Sequence, residues 1–389
     1  MSDKVGIVAV AQTSYEQPED RWRTQELTYQ TVEGVLEETG FTWARDGRGI
    51  EGIDATITCS QDHIEGQTIS NIPHEMVAGA NLKPSVKVDR DGAAAVAMGL
   101  VHILSGHYDV VLITACIKES SLNQSIVDNF GFEPIFHRKL GLDFLQAAAL
   151  QATRYMDKYG ISREQCARVV VKNRGNGLRN PYVQFGAELR VEDVLSSEMA
   201  AYPITDQEIK PVCDGACTII LAREEKAKKL TSKPVWITGI GQCYDAHNLG
   251  ERELAESLAL EQAAKRACKM AGINEPVREL SLIELSEYYA YQELLWTEGL
   301  GLCQRGGGGK FIDSGATQFG GEIPVNPSGG LLSGNPRQVA GLSRVIEGVL
   351  QLRGEAGARQ VDGATKVLAH GTDGSCGQYH CVVTLEKGF

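Results

Sequence analysis

The chain repeats one arrangement of strands and helices after roughly 230 residues, and this repeat limits the folds open to it. The strand-like segment KVGIVAVAQTSY (4–15) returns as KPVWITGIGQCYD (233–245). A charged stretch and an amphipathic helix follow each segment, and we predict these helices over 25–39 and 252–272. The spacing is too long for a solenoid repeat. The sequence therefore predicts two similar halves packed together.

Each half continues with further strands and helices in alternation. Gly40 and Gly272 mark the ends of the two amphipathic helices, because glycine readily adopts the left-handed conformation of a C-cap. Strand-like runs follow at 53–60 and 280–287, and each half then adds a small-residue helix and another strand. This alternation predicts an α/β fold with a mainly parallel sheet and helices on its faces.

The two halves are predicted to meet near the charged stretch 223–233, which divides the chain into residues 1–228 and 229–389. The first half includes an insert at about 117–210. Apolar residues recur at helical spacing over 142–160 within this insert, which predicts a helix that ends at glycine.

Composition excludes several classes of protein. The length of 389 residues, the hydrophobic fraction of 42% and the 43 glycines are typical of an α/β protein with tight turns. The sequence has no long apolar run and no secretion signal, which predicts a cytoplasmic protein without a membrane span. The ten cysteines lack a Cys-x-x-Cys motif, and no histidine pair has metal-site spacing, so we expect reduced thiols and no metal. The net charge of −12 argues against nucleic acid as a partner.

Segments at 86–112, 154–185, 213–222 and 326–342 carry a resemblance to a known family. The first pairs a small-residue helix with an apolar strand, and the last contains Asn-Pro-Ser-Gly-Gly-Leu followed by a Gly-Asn-Pro turn. These segments resemble the thiolase superfamily, in particular its sterol-carrier-type thiolases and their lipid-transfer-protein relatives. The resemblance implies the thiolase fold, in which two similar βαβαβαββ halves form a five-layered α-β-α-β-α core.

The nucleophilic cysteine of the family is missing from the segment 86–112. The glycine, alanine and aspartate positions of this segment place Asp89 where the family has cysteine. A carboxylate cannot replace a thiolate in forming a thioester intermediate. Two interpretations of Asp89 stay open, a cap of the following helix and an active-site carboxylate. Asp91 is the better cap by spacing if the helix begins at Gly92.

The resemblance implies three further catalytic positions; the first two differ from the family pattern, and the register of the third stays open. Asn335 stands where the family has an activating histidine, and its amide can donate to a developing oxyanion. Ser286, Glu287 and Tyr288 occupy a motif whose first residue helps to hold a water or an oxyanion. The family has a glycine-rich loop whose cysteine acts as a base, and the loop GTDGSCGQYHC (371–381) stands in its place. Here Gly374 aligns with the cysteine, and Cys376 follows two residues later.

Other residues are candidates for binding the substrate. His137 lies in the insert that covers the acyl pocket in relatives, although a surface role is the alternative. Gly309 and Lys310 end a four-glycine run that could cradle phosphates or could be a structural loop. Gly330 belongs to the glycine-rich part of the segment 326–342.

The resemblance implies coenzyme A as part of the substrate and no cofactor bound in the chain. The first hypothesis is a carbon–carbon lyase that cleaves a β-hydroxyacyl-CoA by a retro-aldol reaction, with Asp89, Glu287, a tyrosine or His137 as the base. The second is a subunit of a two-component β-ketoacyl-CoA thiolase in which CoA attacks directly. The third is a non-catalytic subunit that binds acyl-CoA. Family analogy predicts a homodimer and a small zinc-ribbon/OB-fold partner, which would also offset the negative charge.

Overall fold

The computed structural model describes residues 4–15, 22–45, 47 and 49–389. Within these ranges the strands are β1 (Val5–Gln12), β2 (Ala55–Cys59), β3 (Ser85–Val88), β4 (Val110–Lys118), β5 (Met199–Ala201), β6 (Ile204–Thr205), β7 (Asp214–Arg223), β8 (Val235–Tyr244), β9 (Leu282–Glu284), β10 (Lys366–Asp373) and β11 (Tyr379–Lys387). The α-helices are α1 (Thr24–Thr39), α2 (Asp62–Glu65), α3 (Ile72–Glu75), α4 (Gly92–Leu104), α5 (Gln124–Phe130), α6 (Phe144–Tyr159), α7 (Arg163–Gly177), α8 (Val191–Leu195), α9 (Glu224–Leu230), α10 (Leu258–Ala271), α11 (Pro276–Glu279), α12 (Ala290–Gly299), α13 (Gly308–Asp313) and α14 (Ala340–Arg353).

Nine of these strands form one sheet in the order β3-β2-β4-β7-β1-β8-β11-β10-β9. The first five strands come from the first half of the chain and the last four from the second half. The halves join where β1 pairs antiparallel with β8, through Gly6 opposite Trp236 and Ile7 opposite Val235. The order of strands on one side of this junction therefore mirrors the order on the other side.

The three largest hydrophobic cores of the described residues lie between five layers of structure. Helices α4 and α14 lie between the two half-sheets and pack with them into the central core. Helix α1 covers the outer face of the first half-sheet, and helices α10 and α12 cover the outer face of the second. The predicted α/β class and the five-layered thiolase arrangement are confirmed. The predicted boundary at residues 228–229 falls inside α9 and stays a prediction.

Several predicted elements are present with small shifts. The helix expected over 25–39 is α1, and the helix expected over 142–160 is α6. Gly40, Gly160 and Gly272 each adopt the left-handed conformation just after a helix, which ends the helix as predicted.

The prediction of a mainly parallel sheet is wrong, because the sheet is mixed. Strand β2 is parallel to β3 and β4, and β9 is parallel to β10. The central pairs are antiparallel, and the short connection 374–378 requires this for β10 and β11. The segment expected as a strand over 280–287 forms only the three residues of β9.

The second half also lacks a full counterpart of β3. Its place is taken by a single parallel bridge between Ile283 and Val325. Pro324 and Pro327 flank this position, and proline has no N–H group to donate to a strand ladder. The helix predicted over 252–272 begins only at Leu258.

The insert between β4 and β7 contains α5 to α8 and the hairpin of β5 and β6. Asp143 caps α6 by accepting a hydrogen bond from the backbone N–H of Gln146 (3.0 Å). This cap brings Phe144, at the start of α6, to the wall of a cleft. No helix in the described part of the chain is long and apolar enough to cross a membrane.

Candidate functional site

A cleft opens where the start of α4 meets the loop after β10. Side chains from both halves and from the insert reach it, because α4 and α14 lie between the half-sheets. The residues that line it are Gln61, Ile64, Asp91, Phe144, Tyr288, Tyr289, Gln292, Arg337, Gln338, Thr372, Asp373, Gly374, Cys376 and Gly377.

Asp91 caps the N-termini of two helices at once. Its Oδ1 accepts a hydrogen bond from the backbone N–H of Ala93 in α4 (2.8 Å). Its Oδ2 accepts one from the backbone N–H of Gly341 in α14 (2.7 Å). Helix α14 has no side-chain cap at its own N-cap residue, Val339. One carboxylate therefore satisfies the starts of two central helices, one from each half of the chain.

The surroundings of Asp91 shift its proton affinity. Burial raises the pKa of Asp91 to about 7, although the amides of Ala93 and Gly341 act in the opposite direction. Asp373 adds a like charge and raises the pKa further. A carboxyl group with a pKa of about 7 is half ionised at neutral pH, which suits it to accept and return a proton.

Two glycines leave the space that Asp91 occupies. A Cβ atom at Gly371 would lie 1.7 Å from Asp91 Oδ1, and one at Gly341 would lie 1.9 Å from the same atom. Neither position therefore tolerates a side chain while Asp91 keeps its place. Local sequence thus fixes the carboxylate between β10 and α14.

Asp89 has a different place from Asp91. Its side chain is exposed, and the cleft lining does not include it. The interpretation of Asp89 as a helix cap is wrong, because α4 begins at Gly92 and Asp91 makes the cap, as the spacing favoured. Its assignment as an active-site carboxylate stays a prediction.

Two glutamine side chains face the cleft with unused hydrogen-bonding groups. Gln61 and Gln338 are each only 2% exposed. Gln338 Nε2 and Oε1 and Gln61 Oε1 have no hydrogen-bond partner among the described residues. Buried polar atoms are normally paired, so these amides are suited to a bound molecule.

Arg337 lines the cleft, but its charge is already compensated. Its guanidinium forms an ion pair with Asp128, and its Nε lies 3.4 Å from a carboxylate oxygen of Glu119. Lys210 forms a second ion pair with Glu119 (2.6 Å). The Arg337 guanidinium also lies over the ring of Phe144, 5.6 Å from its centroid. Arg337 therefore connects the cleft wall to the insert.

The loop that follows β10 places Gly374 and Cys376 in the cleft wall. Both residues are in the left-handed region, with φ of 75° and 55°. Burial raises the pKa of the Cys376 thiol to about 12, which Arg252 only partly opposes. The thiol is protonated at neutral pH and is a poor nucleophile.

Three of the other predicted positions have different settings. Tyr288 lines it, and its hydroxyl lies 3.5 Å from the carbonyl oxygen of Arg337. Ser286 is fully buried and donates its hydroxyl to the carbonyl oxygen of His370 (2.9 Å). Asn335 accepts a hydrogen bond from the Ser343 hydroxyl (2.5 Å), and its Nδ2 has no partner in the described chain. Ser286 and Asn335 are absent from the lining.

Glu287 is enclosed in a polar network away from the cleft lining. Its carboxylate accepts hydrogen bonds from the side-chain amides of Asn173 (2.9 Å) and Asn326 (2.8 Å) and from the backbone of Leu332 (3.3 Å). Burial and the neighbouring Glu293 raise the pKa of Glu287 to about 8. A Cβ at Gly330 would lie 2.1 Å from Glu287 Oε1, so Gly330 makes room for this carboxylate.

The remaining binding candidates lie outside the cleft lining. The backbone amides of Gly306 and Gly308 donate to the carboxylate of Glu298 (2.8 and 2.9 Å), so this glycine run already holds an anion of the protein. Gly309 packs closely against Gln165, because a Cβ atom at this position would lie 2.3 Å from Gln165 Oε1. Lys310 is exposed. His137 is partly buried against the edge of Phe132, with ring centroids 6.2 Å apart. The substrate contacts of these residues stay predictions.

Asp91, Gln61 and Gln338 line the cleft, although none of them was among the predicted site residues. Asp91 stands directly before the helix start, and its position there pointed only to a cap. Gln338 is three residues beyond Asn335 in a recognised motif, which could have drawn attention to it. Gln61 follows β2 without any motif, so no sequence signal marks it.

Known proteins resemble this chain along most of its length. A family model described as "Thiolase C-terminal domain-like" matches residues 241–387. An acetyl-CoA acetyltransferase of Methanothermobacter thermautotrophicus is 30% identical over 380 residues, which covers 96% of this chain and 97% of that protein. The benzoylsuccinyl-CoA thiolase subunit BbsB of Thauera aromatica is 33% identical over 231 residues, or 59% of this chain and 60% of that protein.

Two further proteins are similar to this chain, one over a shorter stretch of sequence and the other in its structure. Sterol carrier protein 2 of Oryctolagus cuniculus is 38% identical over 242 residues, which covers 60% of this chain and 43% of that protein. Among solved structures, the Ltp2-ChsH2(DUF35) aldolase superposes with a TM-score of 0.81 at 19% identity, covering 98% of this chain and 97% of the other. At that identity the likeness establishes the fold alone.

Proposed function

Because the chain belongs to the thiolase superfamily, as a member of its sterol-carrier-protein-2 type, we propose that it cleaves a β-hydroxyacyl-CoA by a retro-aldol reaction. Enzymes of this superfamily act on CoA esters. The reaction breaks the bond between the α and β carbons without an acyl–cysteine intermediate. One observation carries the proposal, namely a buried carboxyl group with a pKa of about 7 in a cleft where the available thiol is protonated.

The reaction needs a base and a site for an enolate. Asp91 accepts the proton of the β-hydroxyl group, and the β carbon becomes the carbonyl of a ketone or an aldehyde. The electrons of the broken bond move into the thioester to form its enolate, and the proton on Asp91 then returns to the α carbon. The donors for the enolate oxygen are the backbone amides of the loop 374–377, which lines the cleft. No covalent bond to the protein is required.

The thiol of Cys376 supports this route over an acyl–enzyme mechanism. A thiolate is the attacking species in such a mechanism, and burial raises the pKa of Cys376 to about 12. The described cleft lining contains no histidine beside this thiol to act as its base. Asp91 is the group in the lining whose proton affinity matches neutral pH.

A second candidate function is thiolysis of a β-ketoacyl-CoA by free CoA. A relative that matches this chain over nearly its whole length is named an acetyltransferase, and another relative is a thiolase subunit. In this case the CoA thiolate attacks the β-ketone directly, and the same donors hold the enolate. A non-catalytic subunit that binds acyl-CoA is the third alternative.

We also propose a partner protein. The structurally similar aldolase is a complex of Ltp2 with ChsH2(DUF35), and BbsB is named as a subunit. A small zinc-ribbon/OB-fold partner with basic residues would compensate the net charge of −12 near an anionic CoA ester. A homodimer is proposed by analogy.

The test is an assay of the chain, alone and with proteins encoded beside it, on β-hydroxyacyl-CoA and β-ketoacyl-CoA. A lyase releases a ketone or an aldehyde and a shortened acyl-CoA from the β-hydroxy ester without added CoA. Strict dependence on free CoA and a β-keto ester would replace the lyase by the thiolase. No turnover of either ester by any combination would leave the non-catalytic alternative.

A further inference from the structure

The cleft presents more hydrogen-bonding groups than the protein itself uses. Gln338 Nε2 can donate, while Gln338 Oε1 and Gln61 Oε1 can accept, and none has a partner within the described residues. Both side chains are nearly fully buried and both line the cleft. Leaving a buried amide unpaired is unfavourable, so a ligand that pairs it gains specificity.

The charges around the cleft limit what that ligand carries. Asp91 and Asp373 are both in the lining and both are acidic, and Asp373 lies 3.9 Å from the guanidinium of Arg90, a largely exposed residue outside the lining. The cation in the same wall, Arg337, is paired with Asp128 and lies near Glu119. A carboxylate on the acyl chain would therefore meet like charges without an uncompensated cation from the lining.

We propose that Gln61 and Gln338 determine specificity for an acyl chain that bears a neutral hydroxyl group on the β carbon of the CoA ester. This inference rests on the proposed function, because that hydroxyl is the group from which the base takes a proton. It assigns the recognition of the hydroxyl to the two amides. Saturated acyl chains and chains with a carboxylate at the same place bind more weakly.

A hydroxyl group pairs two of these three atoms. In the bound ester it donates its one hydrogen bond to a glutamine Oε1 and accepts one from Gln338 Nε2, and it does so for either orientation of the amides. Rotation about its C–O bond then turns the same proton toward Asp91 for the reaction. A carboxylate only accepts, and it would leave both Oε1 atoms unpaired. A methylene group leaves all three atoms unpaired, and sites built for a hydroxyl reject analogues that lack it.

The experiment measures dissociation constants by calorimetry for three four-carbon esters: 3-hydroxybutyryl-CoA, butyryl-CoA and succinyl-CoA. Each ester is titrated into the full chain and into an Asp91→Asn variant, in which the hydroxy ester is not consumed. We expect the hydroxy ester to bind at least about 10-fold more tightly than butyryl-CoA, which corresponds to about 1.4 kcal/mol. Succinyl-CoA is expected to bind the full chain most weakly.

Two variants test the amides themselves. Gln338→Leu and Gln61→Leu remove the polar atoms and keep similar volume, and Gln262→Leu on the exposed side of α10 is the matched control. The cleft variants should weaken the hydroxy ester about 10-fold and leave butyryl-CoA unchanged or tighter. The control should change neither.

Equal affinity of the full chain for the hydroxy and saturated esters would overturn the inference. It would also be overturned if the cleft variants weaken all three esters alike, because the amides would then serve the part common to every CoA ester. Selective binding without cleavage would refute the lyase and keep the inference. Cleavage without selective binding would do the reverse.

Discussion

Asp91 and Glu287 are both buried carboxyl groups, and burial raises the pKa of both, to about 7 and about 8. Their surroundings differ. Asp91 caps two helices with its oxygens and still lines the cleft. Glu287 is enclosed by Asn173, Asn326 and the backbone of Leu332, and the lining does not include it.

This difference shows that a raised pKa does not by itself identify a reacting group. Buried structural networks shift proton affinities as strongly as active sites do. The two carboxyl groups differ in whether a molecule bound in the cleft can reach them. Asp91 lies at the starts of α4 and α14, and it lines the cleft. The proposed chemistry therefore rests on Asp91, and the catalytic assignment of Glu287 stays a prediction.

The largest expected effect is that of Asp91→Asn on activity. Loss of a general base lowers kcat/KM by about 10²–10⁴-fold. The matched control is Asp89→Asn, which makes the same charge change at an exposed position two residues away and should leave kcat/KM within about tenfold, equivalent to 1.36 kcal/mol. Steady-state kinetics on β-hydroxyacyl-CoA and circular dichroism spectra measure both variants. The reverse pattern would transfer the role of the base to Asp89.

The dependence of kcat/KM on pH gives the next effect. Asp91 acts as a base only when deprotonated, and its deprotonated fraction increases as the pH rises through its pKa of about 7. We expect kcat/KM to rise about tenfold per pH unit below that value and to level off above it. A profile that continues to rise toward the pKa of Cys376, about 12, would indicate a thiolate instead.

Glu287→Gln should change stability more than catalysis. Asn326 cannot turn its amide toward the new NH₂ group, because its Oδ1 accepts the backbone N–H of Leu285 (2.8 Å). Relative to the ionised carboxylate, which is present above pH 8, the resulting donor–donor contact costs about 1–3 kcal/mol of unfolding free energy, so the comparison is made there. Urea denaturation measures this loss, and kcat/KM of the folded protein should fall by much less than about 10²-fold. A normal stability with abolished activity would place Glu287 in the chemistry.

Cys376→Ala has the smallest expected effect. Because the thiol is protonated at neutral pH, its removal should change kcat/KM by less than about tenfold, or 1.36 kcal/mol. Mass spectrometry of the unsubstituted protein after incubation with substrate is the companion measurement. An acyl group found on Cys376 would reverse the comparison between carboxylate and thiol.

Sequence patterns predicted the fold well where local signals determine structure. Helical spacing and a terminal glycine located α1 and α6, and Asp91 before Gly92 located the start of α4. The direction of the central strands had no such signal, because it depends on pairing between distant segments. Proline at 324 and 327 explains afterwards why the second half has one strand fewer.

The site was harder to predict than the fold. Asp89 and Asp91 lie two residues apart, and only the docking of α14 and β10 decides which carboxylate is enclosed. The run Gly306–Gly309 has the composition of an anion-binding loop, yet Glu298 from the neighbouring helix occupies its amides. Such outcomes depend on tertiary neighbours, which a single sequence does not reveal.

The double cap made by Asp91 also has a consequence for biosynthesis. Its second amide belongs to Gly341, which lies 250 residues further along the chain. Before Gly341 has left the ribosome, Asp91 of the nascent chain is an ordinary hydrated aspartate with a normal acidity. The raised pKa of this carboxyl group therefore arises only after the second half has been synthesised and has docked onto the first.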